Sequence, residues 1–235
     1  MSMITILQDA TDALLNTVRP TTVEYTDDDT IRQMVIMLNF EGNELVSYYP
    51  WQALTKKVDQ TAVPDEDQGS LDTLAPGFRN IINDTVWLGS MPFKPLGPLT
   101  PQQRTGLEAF NINNPVWSYW IEGNHLFIRR PPASSQRLLF RYQTSHWVNK
   151  VDGGTSNRMV ADGDTSALPE DVLTLAVIWR WLQRNGMPYA QEYMNYRILL
   201  NRYIGNDGMR DTVNACGGIR DYSPMQSVVG GVFKI

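Results

Sequence analysis

Residues 30–49 and 168–204 carry apolar side chains at helical spacing, and the long aromatic- and proline-rich stretch between them has the period of short strands. That order points to the α+β class, with helical segments that must find one another across an intervening β region. In the first stretch Ile31, Met34, Val35, Leu38, Gly42, Leu45, Val46 and Tyr49 fall on one stripe, and Gly42 leaves room for a close neighbour. Pro50 ends it. In the second, Pro169 opens a helix with Glu170 and Asp171 in its first turn, and Val172, Leu175, Ala176, Trp179 and Leu182 form its stripe. Leu173, Val177 and Trp181 make the opposite side apolar too, so this helix is expected to be enclosed. Gly186 and Pro188 break it, and Tyr189, Tyr193, Tyr196, Leu200 and Tyr203 give the face of a second helix, completing a helical hairpin.

Adding Leu7, Ala10, Leu14 and Val18 ahead of Pro20, the expected architecture is mainly a helical bundle, with helices near 3–18, 30–49, 168–185 and 188–204. A small antiparallel β domain is inserted at about 50–148, and an extended C-terminal tail follows. In domain terms, 1–49 and 150–215 form the helical core, 50–149 the β-rich insert and 216–235 the tail. Core packing falls to Ile31, Met34, Val35, Leu38, Leu45, Val172, Leu175 and Trp179. Within the insert, Val116 to Glu122 and His125 to Arg130 read as strands joined by the two-residue turn Gly123-Asn124. Arg137 to Thr144 alternates well enough to pair next with that hairpin, while Phe78 to Leu88 is a strand weakened by Asn83-Asp84. Trp51 to Val63 is a strand or an irregular extension, Pro64 to Ser70 a polar loop, Pro92 to Pro101 an extended arm, and Thr100 or Pro101 opens a short helix through Phe110.

Composition narrows the function classes. The 25 acidic residues outweigh the 20 basic ones for a net charge of −5, so no overall basic field holds the chain on phosphates. Cys216 is the single cysteine, which excludes an intrachain disulfide. No run of 18 or more apolar residues occurs and residues 1–18 lack a signal pattern, so a soluble protein made inside the cell is expected, with no membrane partner.

No motif supports catalysis, and no enzyme activity, cofactor or metal is expected. Asp27-Asp28-Asp29 precedes a helix, where carboxylates cap free N–H groups and favour the positive dipole end. Asp65, Glu66 and Asp67 lack the remaining spacing of a calcium loop, and Asp162-Gly163-Asp164 reads as a turn before it reads as a metal-holding pair. The glycines of Asp152 to Asn157 lack a following Gly-Lys-Ser/Thr and mark a linker, and His125 and His146 stand outside metal motifs. Cys216 has no local base. The tail combines glycines and a proline with Val228, Val229, Val232, Phe233 and Ile235, an apolar set that reads as anchors ordering on a partner or folding back on the chain's own domain.

Three segments resemble the head-to-tail adaptor family of tailed bacteriophages (connector or tail-tube gatekeeper proteins), of the short-tailed type. They are Leu45-Val46-Ser47-Tyr48-Tyr49-Pro50-Trp51-Gln52-Ala53-Leu54-Thr55, Asp72 to Thr85 around Leu74-Ala75-Pro76-Gly77-Phe78-Arg79, and Leu168 to Trp181 around Pro169-Glu170-Asp171-Val172-Leu173. The resemblance implies a nonenzymatic structural protein of the virion neck, made in the host bacterial cytoplasm. It further implies a homo-oligomeric ring of about a dozen copies beneath the portal protein, with a lower face for the tail nozzle or tube and a C-terminal tail, here Val228 to Ile235, that grips the portal. Genomic DNA would pass through the ring during ejection without specific binding, which an acidic subunit suits because phosphate contacts would retard passage. The alternative is a nonenzymatic virion or tail module that binds carbohydrate through Trp117, Tyr119, Trp120 and Trp147 of the β region.

Overall fold

The computed structural model describes residues 2–14, 18–24, 26–89, 95–109, 117–130, 132 and 136–207. In chain order they form α1 (Met3–Ala13), α2 (Asp29–Tyr48), β1 (Thr55–Thr61), β2 (Asp67–Ser70), α3 (Leu71–Leu74), β3 (Phe78–Ile81), β4 (Trp87–Leu88) and α4 (Pro101–Ala109). After these come β5 (Ser118–Glu122), β6 (His125–Arg129), β7 (Arg137–Thr144), β8 (Val148–Asn149), β9 (Thr155–Ser156), β10 (Thr165–Ser166), α5 (Glu170–Arg184) and α6 (Ala190–Asp207). The protein is thus mixed α+β, with three small antiparallel sheets among the described residues.

Local chemistry fixes the helix ends. Asp28 caps α2 by accepting from the Thr30 amide at 2.7 Å, and Tyr49, held extended before Pro50, stops it. The last carbonyls of α2 find partners from outside the helix: Trp51 Nε1 donates to the Leu45 oxygen at 2.9 Å, and the Arg79 guanidinium donates to the Val46 and Ser47 oxygens. A cation at that end also meets the negative pole of the helix dipole. In α5, Glu170 and Asp171 occupy the first turn and Arg184 the last, and Gly186 takes the left-handed conformation (φ 67°) just past the end. Helix α1 stops at Ala13, because Leu14 is already extended, so the helix expected over 3–18 is shorter. The later helices are Glu170–Arg184 and Ala190–Asp207, the second of them running past residue 204.

Helix α5 is the common partner against which α1, α2 and α6 all pack. Ile31, Met34, Leu38, Leu45, Val172 and Trp179 are buried there, and Val35 and Leu175 lie partly buried against the same cluster. Trp147 completes it. The indole is 0% exposed and lies so close to α2 that a Cβ added at Gly42 would stand 2.1 Å from its Cζ2 atom. Its Nε1 donates to the Asn157 oxygen at 2.9 Å. Beside it Asn39, itself buried, accepts from the Met159 amide at 2.7 Å and donates to the Met159 carbonyl at 3.1 Å, so the loop is fastened to the helix with no polar atom left wanting.

The β region departs from the expected pairing. Strand β7 does not extend the β5–β6 hairpin but forms the centre of a separate sheet. It is antiparallel to β1 from Thr55↔Gln143 to Thr61↔Arg137, and its other edge is shared by β3 (Ile81↔Tyr142) and β4 (Trp87↔Leu139). With both edges of β7 taken, the hairpin pairs instead with β2. Residues 67–70, expected within a polar loop, are therefore strand. The hairpin turn is of the primed type, with φ 54° at Gly123 and 63° at Asn124, and its register closes on Glu122↔His125. Asn83-Asp84 separates β3 from β4, with Asp84 at φ 64°. Leu126, Ile128, Leu138, Phe140 and Tyr142 fill a second core, distinct from the helical one.

Within residues 150–166, expected as linker and helical core, β9 and β10 pair with β8 at the end of the expected insert to form the third sheet, in the order β10-β8-β9. Its strands are two residues long, too short for any alternation to show in the sequence.

Candidate functional site

A concavity lies along α2, α5 and α6, a groove of about 660 Å³ with Phe40 and Tyr48 on one wall, Tyr193 and Arg197 on the other, and Trp179 and Arg180 between them. Helical periodicity places these residues. Phe40, Glu44 and Tyr48 follow one another by single turns of α2, while Tyr193 and Arg197 do the same on α6. Three of the groove's large apolar residues are open to solvent: Phe40 at 53%, Tyr48 at 56% and Tyr193 at 37%. Isolated exposed apolar residues are ordinary, but a set of them lining a concave surface marks an interaction site.

A charged cluster holds the groove in shape. Glu41 is buried, and its carboxylate accepts from Arg180 Nε at 2.7 Å and from the Tyr196 hydroxyl. The same guanidinium also pairs with Glu44, and its face lies 4.9 Å from the Phe40 ring centroid and 4.6 Å from that of Trp179. Arg180 is thus clamped between two carboxylates and two rings, which orients the groove floor. Burial, followed by the Glu41 charge and hydrogen bond, pushes the Tyr196 hydroxyl well above the usual tyrosine range, so it stays protonated and keeps donating. Tyr189, Tyr193 and Tyr196 surround Trp179, the nearest ring centroid lying at 5.1 Å, and Tyr203 donates to Asp171 at 3.2 Å. These tyrosines are therefore engaged with one another and with the helices.

The acidic motifs serve the chain itself. Asp28 caps α2, while Asp27 and Asp29 pair with Arg32. In the turn at 162–164, Asp162 accepts from the Thr22 hydroxyl and the Val23 and Glu24 amides, and buried Asp164 accepts from the Val151, Val160 and Ala161 amides. Their own carbonyls accept from Met3 and Ile4 at the start of α1, so the turn stitches three segments together. Asp67 accepts from the Gly69 amide at 2.8 Å and faces His125 Nδ1 at 2.9 Å, which together hold its carboxyl below the ordinary value. Among the described residues no three His, Cys, Asp or Glu side chains converge as a metal site would require. His146 Nδ1 lies 3.1 Å from the Thr155 hydroxyl.

Of the four aromatic residues considered as a carbohydrate platform, Tyr119, Trp120 and Trp147 are buried and Trp117 is partly buried, so they share no exposed face. Trp120 stacks on Phe127 at 5.3 Å with Arg104 over its ring, whereas Trp147 belongs to the helical core. Cys216 and the apolar tail residues Val228, Val229, Val232, Phe233 and Ile235 lie outside the described residues. No described helix is long and apolar enough to cross a membrane.

Sequence reasoning assigned Trp179 to the core and Tyr193 and Tyr196 to a packing face, but it missed the groove. The signal was present: Glu41 on the buried side of α2 and Arg180 between two tryptophans are charges at positions that demand partners. Compared with protein-family models and with curated proteins, the chain gives no match.

Proposed function

We propose that the chain is a nonenzymatic structural adaptor of a tailed-phage virion, a ring subunit joining the portal to the tail and surrounding the DNA exit path. In this reading the helices act as a bundle that makes the ring, and Val228 to Ile235 reach the portal. The observation that carries it is the exposed apolar surface of the helices. Beyond the groove, Ile36 on α2 and Met194 and Ile198 on α6 are each 57–58% exposed, Met194 and Ile198 one turn apart on the same face. A helix that presents apolar side chains on the side away from its own core is built to meet a neighbour, and repeated copies in a ring supply one. The three resembling segments add support, since they span the α2 end, the α3–β3 region and α5.

Mixing the full chain with isolated portal rings tests the reading by sedimentation. Co-sedimentation near one adaptor per portal subunit is expected, with loss of binding on deletion of Val228 to Ile235 at unchanged helical circular dichroism. An adaptor that never co-sediments contradicts the reading, and binding that survives the deletion removes the tail's role.

A further inference from the structure

We propose that the α2–α5–α6 groove is the docking site for this chain's own segment 208–235, with Val228, Val229, Val232 and Phe233 as the side chains that fill it. The proposal goes beyond the phage reading and does not depend on it.

Three observations converge. The first is place. The described part of α6 runs to Asp207, whose carboxylate accepts from the Gln52 amide at 2.9 Å, so residue 207 lies beside the C-terminal end of α2, where Tyr48 forms one end of the groove. From Asp207 back to Arg197 along α6 is roughly 15 Å at about 1.5 Å per residue, a distance that about five extended residues cover. Residues 208–235 therefore reach the groove with length to spare.

The second is chemistry. The groove presents Phe40, Tyr48 and Tyr193 to solvent, with Glu44 on the α2 wall and Arg197 over Tyr48 on the α6 side, beside the mutually paired Glu41 and Arg180. The segment supplies four apolar side chains between 228 and 233, with the cation Lys234 next to them to match Glu44. Its size also suits, because about 660 Å³ falls within the range of about 300–1,000 Å³ typical of sites that enclose a small ligand or a few side chains.

The third is tethering. A segment joined to the rim of a site by a short linker is held there at an effective concentration on the order of millimolar, far above that of a free partner. Weak apolar contacts then suffice for occupancy, and a stronger partner for either the groove or the segment displaces the other.

The test uses the full chain with photoreactive benzoylphenylalanine at position 40 and, as a second probe on the same wall, at position 47. Val151, 69% exposed and not among the groove's lining residues, carries the control probe. Isotopically heavy and light chains are mixed before irradiation, and tryptic peptides are read by mass spectrometry. The proposal predicts that positions 40 and 47 link to peptide 221–234 at least tenfold more than position 151 does, with heavy–heavy and light–light pairs only, and that Phe233→Ser lowers this yield severalfold. Links confined to residues 2–207, or no enrichment from either groove position, overturn it. Enriched links in mixed heavy–light pairs overturn the intrachain assignment and place the segment in the groove of a second copy.

Discussion

The helical core draws its buried side chains from residues 3–54 and 147–200, whereas the β core takes its own from 58–142 alone. One core is thus split by the other. The β core is continuous in sequence. The helical core depends on contacts made across more than a hundred residues, among them Trp147 wedged at Gly42, Asn39 on Met159 and Arg180 on Glu41, while Arg79 of the β insert closes α2 and so ties the two regions together. In the proposed reading the assembly surfaces lie on the helices.

The sharpest way to break this comparison is to cut one aromatic ring from each core. Trp147→Ala is expected to cost about 4 kcal/mol, measured as a shift in the urea midpoint, and Phe140→Ala about as much, since both rings are fully buried. Their hydrogen-exchange patterns should differ. Loss of Trp147 should raise exchange in α2 and α5, and loss of Phe140 in β1, β3 and β7; identical patterns in the two variants would merge the two cores into one cooperative unit.

Removing one partner of the buried charge cluster comes next. Glu41→Ala is expected to cost roughly 3 kcal/mol, because Arg180 keeps Glu44 but loses its buried carboxylate and Tyr196 loses its acceptor. A change under 1 kcal/mol in denaturant titration would show that the cluster is replaceable.

High pH probes both cores at once. Tyr196 in the helical core is held above its ordinary value, and burial pushes Tyr119 in the β core up to about 12. In the unfolded chain both lose their protons near pH 10, so the folded state binds more protons above that pH. The stabilisation that this provides is complete below about pH 10 and is lost as pH rises through the folded values, at up to about 1.4 kcal/mol per pH unit for each group. Tyr196→Phe should flatten this slope between pH 10 and 12 relative to the parent chain; an unchanged slope would mean that Tyr196 ionises freely. The smallest effect is expected at the joint between the regions, where Arg79→Ala should cost about 1 kcal/mol by uncapping α2, with amide exchange rising first around residues 45–48.

The difference between the regions also decided what the sequence could reveal. The stripe from Ile31 to Val46 and the caps at Asp28 and Gly186 are local signals, so α2 and α5 were legible within a residue or two. The Gly123-Asn124 turn was legible for the same reason. Strand partners are not local. Nothing in Arg137 to Thr144 says that both its edges are taken by β1, β3 and β4, and Asp67-Gln68-Gly69-Ser70 hides a strand under turn residues because Asp67 spends its side chain on Gly69 and His125. Trp147 read as part of an aromatic β surface, yet it serves the helical core, because its place follows from the gap at Gly42 a hundred residues earlier. The groove was half legible: its tyrosines showed as a face, but the Glu41–Arg180 pair that shapes it joins two distant helices.

The most direct test of the adaptor reading is the copy number of this chain in purified virions of its source, measured against the portal subunit by quantitative mass spectrometry. A ratio near one is predicted for a ring seated on the portal. Absence from the particles, or a copy number many times that of the portal, would contradict it.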